Sequence, residues 1–242
     1  MPYMSKETDV AERPFEAALI VGAGPGLSAS LARLFARERM QLALAGRSTA
    51  KLGALAKETG AVLFDCDASD PAQVAKLFTE VDAAIGAPDV VVYNPSYRVR
   101  GKLVDLDPEE VRRTLDVTAY GAFLVSQQAA LRMLPHNRGA IMLTGASAGV
   151  KGYPQSAPFA MGKFALRGLA QSMARELSPQ GIHVMHMVID GGVRSAARPE
   201  DASHPDAMLD PDAIAASYLH MLHQPRNAWS WEMEVRPWVE TF

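Results

Sequence analysis

A glycine-rich turn near the start of the chain has the residue types and spacing of a phosphate-binding site. The sequence Gly22-Ala23-Gly24-Pro25-Gly26-Leu27 follows a short apolar run and leads directly into a helical pattern. Glycine lets the backbone approach a pyrophosphate closely, and the N-terminus of a helix offers free N–H groups and a positive dipole end. This position favours dinucleotide binding over a turn that is glycine-rich for steric reasons alone. The residues predicted to contact the dinucleotide are Gly22, Gly24, Pro25, Gly26 and Leu27.

The end of the second apolar run indicates which dinucleotide is bound. An acidic residue there would bind the adenine-ribose hydroxyls of NAD, but the sequence reads Ala45-Gly46-Arg47-Ser48. A guanidinium binds phosphate bidentately, so Arg47 and Ser48 suit the additional 2′-phosphate of NADP(H). The alternative is that Arg47 is a solvated residue at the start of the next helix.

Alternating strands and helices would position these residues. The apolar runs are AALIV, LALAG, AVLF, DVVVY, AIMLT, HVMHMVI and WEMEV, and helical spacing covers residues 27–39, 71–85, 108–134 and 213–222. Near-continuously apolar strands separated by helices indicate a parallel sheet that is covered on both faces. We predict a single-domain α/β Rossmann fold, a doubly wound parallel sheet of about seven strands flanked by helices. Residues 1–16 are predicted to be a flexible extension and residues 17–242 the NADP(H)-binding domain.

Composition argues against several classes of partner. The net charge of −3 comes from interspersed signs, so no basic stripe predicts nucleic-acid binding. The N-terminus is polar and no apolar run approaches the ~18 residues of a membrane helix, so we expect a soluble, cytoplasmic protein without a membrane partner. Cys66 is the single cysteine, which excludes an intrachain disulfide, and we expect no metal site.

The order and spacing of these segments resemble the short-chain dehydrogenases/reductases over roughly residues 17–236. Gly22 and Gly26 match two glycines of that family's turn, and Ser28 stands in the place of the third. Tyr93-Asn94-Pro95-Ser96 is similar to the family's Asn-Asn-Ala-Gly segment, and the stretch from Asp190 to Ser195 is similar to its Pro-Gly segment that ends in Thr. The resemblance implies further cofactor contacts at Asp67, Ala68, Asn94, Pro95, Ser96, Lys163, Gly191, Val193 and Ser195.

The same resemblance implies that most of the family's proton chemistry is missing. In the family, a Tyr one helical turn before a Lys transfers the proton, a Ser orients the carbonyl and an Asn completes a water relay. Lys163 matches the Lys, and counting back places Phe159 at the Tyr and Ala146 at the Ser. Thr118 falls at the Asn. A phenyl ring has no proton to transfer, and acid-base assistance contributes about 10² to 10⁴ in rate.

Three substitutes for the missing acid are candidates: Ser147, Tyr153 and a water held by Lys163. Each has a structural alternative, since Ser147 can be a turn hydroxyl and Tyr153 a wall of the pocket. Lys163 can bind ribose hydroxyls without a neighbouring Tyr, and its apolar surroundings argue against a solvated lysine. His183 and His186 lie in an alternating strand pattern and are predicted to be structural rather than metal ligands.

Two functions remain open at this point. The first is an NADP(H)-dependent oxidoreductase acting on a small molecule that does not need the missing Tyr, such as one with an activated C=C or C=N bond. The second is a catalytically inactive NADP(H)-binding regulatory or scaffold protein. The family resemblance also implies a homodimer or homotetramer. The polar segment at residues 194–210 is predicted to be a mobile lid over the nicotinamide end.

Overall fold

The computed structural model describes residues 14–195 and 198–240, and within them seven parallel strands form one sheet. The strands are β1 (Ala17–Val21), β2 (Gln41–Gly46), β3 (Val62–Asp65), β4 (Val90–Tyr93), β5 (Gly139–Thr144), β6 (Ile182–Ile189) and β7 (Glu232–Val235). Their order across the sheet is β3-β2-β1-β4-β5-β6-β7. The predicted Rossmann fold is confirmed. The predicted extension at residues 1–16 lies mostly outside the described residues, so its boundary stays a prediction.

Helices cover both faces of the sheet because its central strands are apolar on both sides. They are α1 (Leu27–Arg37), α2 (Gly53–Thr59), α3 (Pro71–Ile85), α4 (Pro108–Leu115), α5 (Gly121–Met133), α6 (Ala157–Leu177) and α7 (Pro211–Leu222). Helices α1, α2 and α7 pack on one face, and α3, α5 and α6 pack on the other. Asp210 caps α7 by accepting a hydrogen bond from the Asp212 backbone N–H at 2.8 Å.

The sheet has a topological switch point between β1 and β4. The chain leaves β1 into α1 on one face and leaves β4 towards α5 on the other, although the two strands are neighbours. The departing chains separate, which opens a crevice at the carboxyl ends of the strands where doubly wound folds bind ligands.

The helix predicted over residues 108–134 is interrupted by one π-helical turn, Asp116–Tyr120, between α4 and α5. The hydroxyl of Tyr93 donates to the Val117 carbonyl at 2.5 Å, and the Gly121 N–H bonds to Asp116 instead. A side chain at Gly121 would place its Cβ only 2.4 Å from the Tyr93 hydroxyl. This tertiary contact produces the wide turn, which carries Thr118, and such turns are frequent at functional sites.

Both histidines predicted to be structural have partners in the sheet. Nε2 of His183 lies 2.9 Å from the Ser230 carbonyl, and its ring stacks on Trp229 at 4.4 Å. Nδ1 of His186 lies 2.9 Å from Glu232, and burial is the main cause that lowers the pKa of both histidines. In the described part of the chain, no group of three or more His, Cys, Asp or Glu is placed to hold a metal, and no helix is long and apolar enough to cross a bilayer.

Candidate active site

Two adjoining cavities lie at the carboxyl ends of the strands. The Lys163 cavity has a volume of about 810 Å³ and is lined by segments that follow β1, β4, β5 and β6 and by the start of α6. The Arg47 cavity has a volume of about 620 Å³ and is lined by segments that follow β1, β2, β3 and β4. Asn94 and Ser96 line both cavities. Every predicted site residue lines one or both cavities except Gly24 and Pro25, which lie in the glycine turn.

The glycine turn requires glycine at one position and borders open space at two others. Gly22 has φ +82°, and a Cβ there would lie 2.5 Å from the backbone nitrogen of Pro95. At Gly24 and Gly26 an added Cβ would meet no protein atom within 4 Å. Helix α1 has no side-chain cap, so no side chain covers its first N–H groups. This open, uncapped helix start fits a pyrophosphate group.

Ser28, which stands in place of a third glycine, ties the turn to the neighbouring strand end. Its hydroxyl donates to the Gly22 carbonyl at 3.0 Å and accepts from the Asn94 amide at 2.8 Å. The side chain is buried beneath the turn. Serine therefore adds two hydrogen bonds that a glycine could not make, and they join the carboxyl ends of β1 and β4.

In the Arg47 cavity, the nearby carboxylates are bound to neighbours. Asp65 accepts from the backbone N–H and the hydroxyl of Thr49, both at 2.8 Å. Asp67 accepts from the Ser69 hydroxyl at 2.6 Å, and this bond is the largest cause that lowers its pKa, with a smaller contribution from Arg47. Arg47 and Ser48 are exposed at the cavity wall. This donor set fits a phosphate group better than a pair of ribose hydroxyls alone.

Lys163 is buried at the floor of the other cavity, with 2% of its surface exposed. Its Nζ donates to the Thr144 carbonyl at 2.6 Å, and the Thr144 hydroxyl is 2.8 Å from the buried hydroxyl of Tyr218. Burial lowers the pKa of Lys163 to about 8. The predicted burial of Lys163 is thus observed, and the ammonium keeps donor capacity directed at the cavity.

Phe159 lies between two cations at the mouth of this cavity. The Arg98 guanidinium is 4.9 Å from the centre of its ring, and Nζ of Lys163 is 5.8 Å from that centre. Ala146 and Ser147 line the same wall. Thr118 is fully buried against Gly162, and its hydroxyl has no partner among the described residues.

Tyr153 lines the Lys163 cavity and lies beside a second lysine, Lys151. Nζ of Lys151 is 5.7 Å from the centre of the Tyr153 ring, and a hydrogen bond to Tyr153 is the main cause that raises the pKa of Lys151. The same Nζ is 3.6 Å from Asp190, which is buried and also pairs with Arg236 at 3.0 Å. The structure therefore places a lysine beside a tyrosine that lines the cavity, whereas the residue near Lys163 on α6 is Phe159.

The segment between β6 and α7 forms the wall opposite α6. Gly191, Val193 and Ser195 line the cavity, and their contact with a cofactor stays a prediction. The segment is held by a bridge between Val193 and Leu209 and by an ion pair between Arg194 and Asp210. Movement of this segment on cofactor binding stays a prediction.

Several cavity residues were not among the sequence predictions. They are Arg98, Arg100, Asp190, Arg198 and Glu240. The alternation of Arg98 and Arg100 directly after β4 was a readable signal, because segments at strand ends face the crevice. Nothing in the local sequence around Arg198 indicates that it lines the same cavity as Arg98 and Arg100.

Comparison with known proteins agrees with this architecture. The profile of the short chain dehydrogenase family matches residues 16–205. An uncharacterized oxidoreductase of Staphylococcus aureus strain N315 is 26% identical over 226 residues, covering 91% of this chain and 96% of that protein. A short-chain dehydrogenase structure from Rhodopseudomonas palustris is 31% identical with a TM-score of 0.80, covering 92% of this chain and 99% of that one. A metagenomic short-chain oxidoreductase solved in complex with NADP is 26% identical with a TM-score of 0.79, covering 92% and 97% of the two chains.

Proposed function

Because the chain belongs to the short-chain dehydrogenase family, we propose that it is an NADP(H)-dependent oxidoreductase with an atypical active site. In this proposal Phe159 and Ala146 occupy the positions of the family's Tyr and Ser. The observation that carries it is the continuous pair of cavities, with an uncapped glycine turn and Arg47 at one end and buried Lys163 at the other. When bound, the nicotinamide supplies or accepts a hydride.

NADP(H) is favoured over NAD(H) by the charges at the Arg47 cavity. Asp65 and Asp67 are both engaged by hydroxyl and backbone donors, which leaves Arg47 and Ser48 to meet a 2′-phosphate. The NADP complex of the metagenomic relative supports the same choice. The cofactor contacts proposed along the groove are those predicted from the sequence, from Gly22 to Ser195.

We assign the proton chemistry to Tyr153. Its hydroxyl faces Lys151, whose positive charge is held in place by Asp190. An adjacent ammonium stabilises the phenolate that remains after the proton leaves, which is the role a lysine plays beside a catalytic tyrosine. Ser147 lies on the same wall and can orient the acceptor atom. Lys163 is left to bind ribose hydroxyls from the cavity floor.

A second function is favoured by the position of Phe159. Its ring is stacked against Arg98 and has no proton to give, so a carbonyl bound beside it would find no acid there. On this reading the protein binds NADP(H) without turnover and acts as a regulatory or scaffold protein. Substrates with an activated C=C or C=N bond separate the two functions, because they need less acid assistance than a ketone.

The test measures NADPH oxidation against a panel of activated enones, imines and diketones. The variants are Tyr153→Phe and, as a matched control, Tyr120→Phe, which removes a hydroxyl from an exposed tyrosine outside both cavities. We expect turnover on at least one class and a fall of about 10² or more in Tyr153→Phe alone. Tight NADPH binding with no turnover on any class would instead identify the regulatory protein.

Self-association is part of the proposal. Four large side chains on α6 and at or near the start of α5 are each more than two-fifths exposed: Tyr120, Phe123, Met161 and Phe164. An exposed apolar set of this kind is typical of a subunit contact. We propose a homodimer or homotetramer built on this face. Sedimentation of wild type and of a Phe123→Glu/Phe164→Glu variant should show loss of the larger species in the variant.

A further inference from the structure

The Lys163 cavity is strongly cationic. Five basic side chains line it, against two carboxylates, Asp190 and Glu240; the basic residues are Arg98, Arg100, Lys163, Arg194 and Arg198. Asp190 is neutralised by Arg236 and Lys151. Arg194 is neutralised in turn by Asp210 and Glu200. The remaining charges that line the cavity are those of three arginines and Lys163, against the single carboxylate of Glu240.

Three of these arginines lack a carboxylate partner. Within residues 14–195 and 198–240, no salt bridge involves the guanidinium group of Arg98, Arg100 or Arg198, whereas most other cavity charges are paired. Arg98 is partly desolvated, and its pKa is lowered first by that burial and then by repulsion from Arg100 and Arg198. Like charges held together in a concave site are unfavourable unless an anion joins them.

The three arginines come from two segments of the chain and line the same cavity, and Arg98 lies against the ring of Phe159. Arg98 and Arg100 follow β4, and Arg98 stacks on the Phe159 ring at 4.9 Å. Arg198 approaches from the segment after β6, where an added Cβ at Gly192 would lie 2.9 Å from its guanidinium carbon. The glycine thus leaves room for Arg198 against the backbone of the cavity wall.

We propose that this cluster binds an anionic substrate, one that carries a carboxylate or a phosphate group, beside the ring of Phe159. A planar guanidinium fork suits either group, and the phenyl ring provides an apolar surface next to it. The proposal rests on the proposed function, because it names the substrate class of the same site. It also gives Phe159 a use, since its ring orders Arg98.

The main competing occupant is the cofactor itself. Gly26 and Leu27 line the same cavity, so the pyrophosphate of NADP(H) would approach from that side. The experiment must therefore separate loss of substrate binding from loss of cofactor binding. A measurement of binding, rather than turnover, also separates this proposal from the oxidoreductase proposal.

The test is calorimetric titration of the NADP⁺-saturated protein with succinate, phthalate, benzoate, phenyl phosphate and the neutral benzamide. Each probe is titrated into wild type, Arg98→Gln, Arg100→Gln and Arg98→Gln/Arg100→Gln. Arg175→Gln is the matched control, because Arg175 is an exposed arginine of α6 outside the cavity. NADPH affinity is measured for every variant.

We expect at least one anion to bind while benzamide binds at least about tenfold more weakly. Each single cavity variant should lower the affinity for the anion by about tenfold. The anion affinity of Arg175→Gln and the NADPH affinity of every variant should stay within about twofold of wild type. Carboxylates and phenyl phosphate compared on the same variants identify which anionic group is preferred.

Three results would overturn the proposal. These are equal binding of benzoate and benzamide, no anion binding at millimolar concentration, or a parallel loss of NADPH affinity in the cavity variants. The last would assign the arginines to the cofactor. Anion binding without any NADPH turnover would support the anion site and contradict the oxidoreductase proposal. Turnover on neutral substrates without anion binding would support the oxidoreductase proposal and contradict the anion site.

Discussion

The two cavities are built on different principles. The Arg47 cavity depends on backbone shape, with a left-handed Gly22, an uncapped helix start and short hydrogen bonds at strand ends. The chemical character of the Lys163 cavity depends on individual side-chain groups, namely the lysine ammonium, the Tyr153 hydroxyl and three guanidinium groups. We expect a substitution in the second cavity to change the reaction without changing cofactor binding at the first. Variants in the two cavities can show whether binding and reaction are separable in this fold.

The largest expected effect comes from restoring an acid in the Lys163 cavity. Phe159→Tyr combined with Ala146→Ser should raise NADPH-dependent reduction of activated ketones by up to about 10² to 10⁴. The new phenol would lie near Nζ of Lys163, since the Phe159 ring centre is already 5.8 Å from it. Thr118 limits the recovery, because its buried hydroxyl is no substitute for an amide. Steady-state rates with NADPH affinity measured in parallel check this.

If the double variant binds NADPH normally but remains as slow as wild type, the cavity does not present a carbonyl to position 159. That result would leave the two cavities separable and would favour a different class of substrate. Phe164→Tyr is the control, because Phe164 is exposed on the same helix but outside the cavity.

The glycine turn tests whether the Arg47 end depends on shape. Gly22→Ala should lower the free energy of unfolding by about 2 to 5 kcal/mol, because a left-handed φ and a close backbone contact are both violated. Gly24→Ala is the matched control for stability, since its Cβ faces open space. Gly24→Ala should unfold like wild type yet bind NADPH about tenfold or more weakly. Equal NADPH affinity in Gly24→Ala and wild type would remove the turn from the cofactor site.

The buried lysine tests the cost of keeping charge in the Lys163 cavity. Its pKa is about 8 when folded, against an ordinary value of 10.5, so the unfolded chain retains a proton that the folded chain has lost between those two values. The free energy of unfolding should therefore gain about 3 kcal/mol from this residue as pH rises from about 8 to 10.5. Below pH 8 the full burial cost is present.

Lys163→Met should remove this contribution. Denaturant unfolding of both proteins across the same pH window gives the difference curve, in which the other titrating groups cancel. A difference that does not change with pH would mean that Lys163 has its ordinary pKa and is not desolvated.

The smallest expected effect concerns the choice of cofactor. Arg47→Ala should weaken NADPH by about tenfold to a hundredfold, because one charge-assisted contact to the 2′-phosphate is lost. NADH affinity in the same variant is the internal control and should be unchanged. Titration calorimetry measures both, and an unchanged NADPH affinity would identify Arg47 as a solvated surface residue.

Much of the frame could be predicted from the chain alone. The seven apolar runs became the seven strands, and the helical spacing over residues 213–222 became α7. Local patterns sufficed there because the central strands are buried on both faces, and an apolar run reports that burial directly. The π-helical turn after Leu115 was not predictable, since it arises from the hydroxyl of Tyr93 on a distant strand.

The amino-acid sequence by itself determined the fold and the glycine turn that follows β1. Only the tertiary structure decided which residues share a cavity. Ser28 meets Asn94 across 66 positions, and Arg198 joins Arg98 at the same wall, because parallel strands bring their carboxyl ends to one edge of the sheet. Contacts of that kind depend on the path of the whole chain, so no local spacing encodes them.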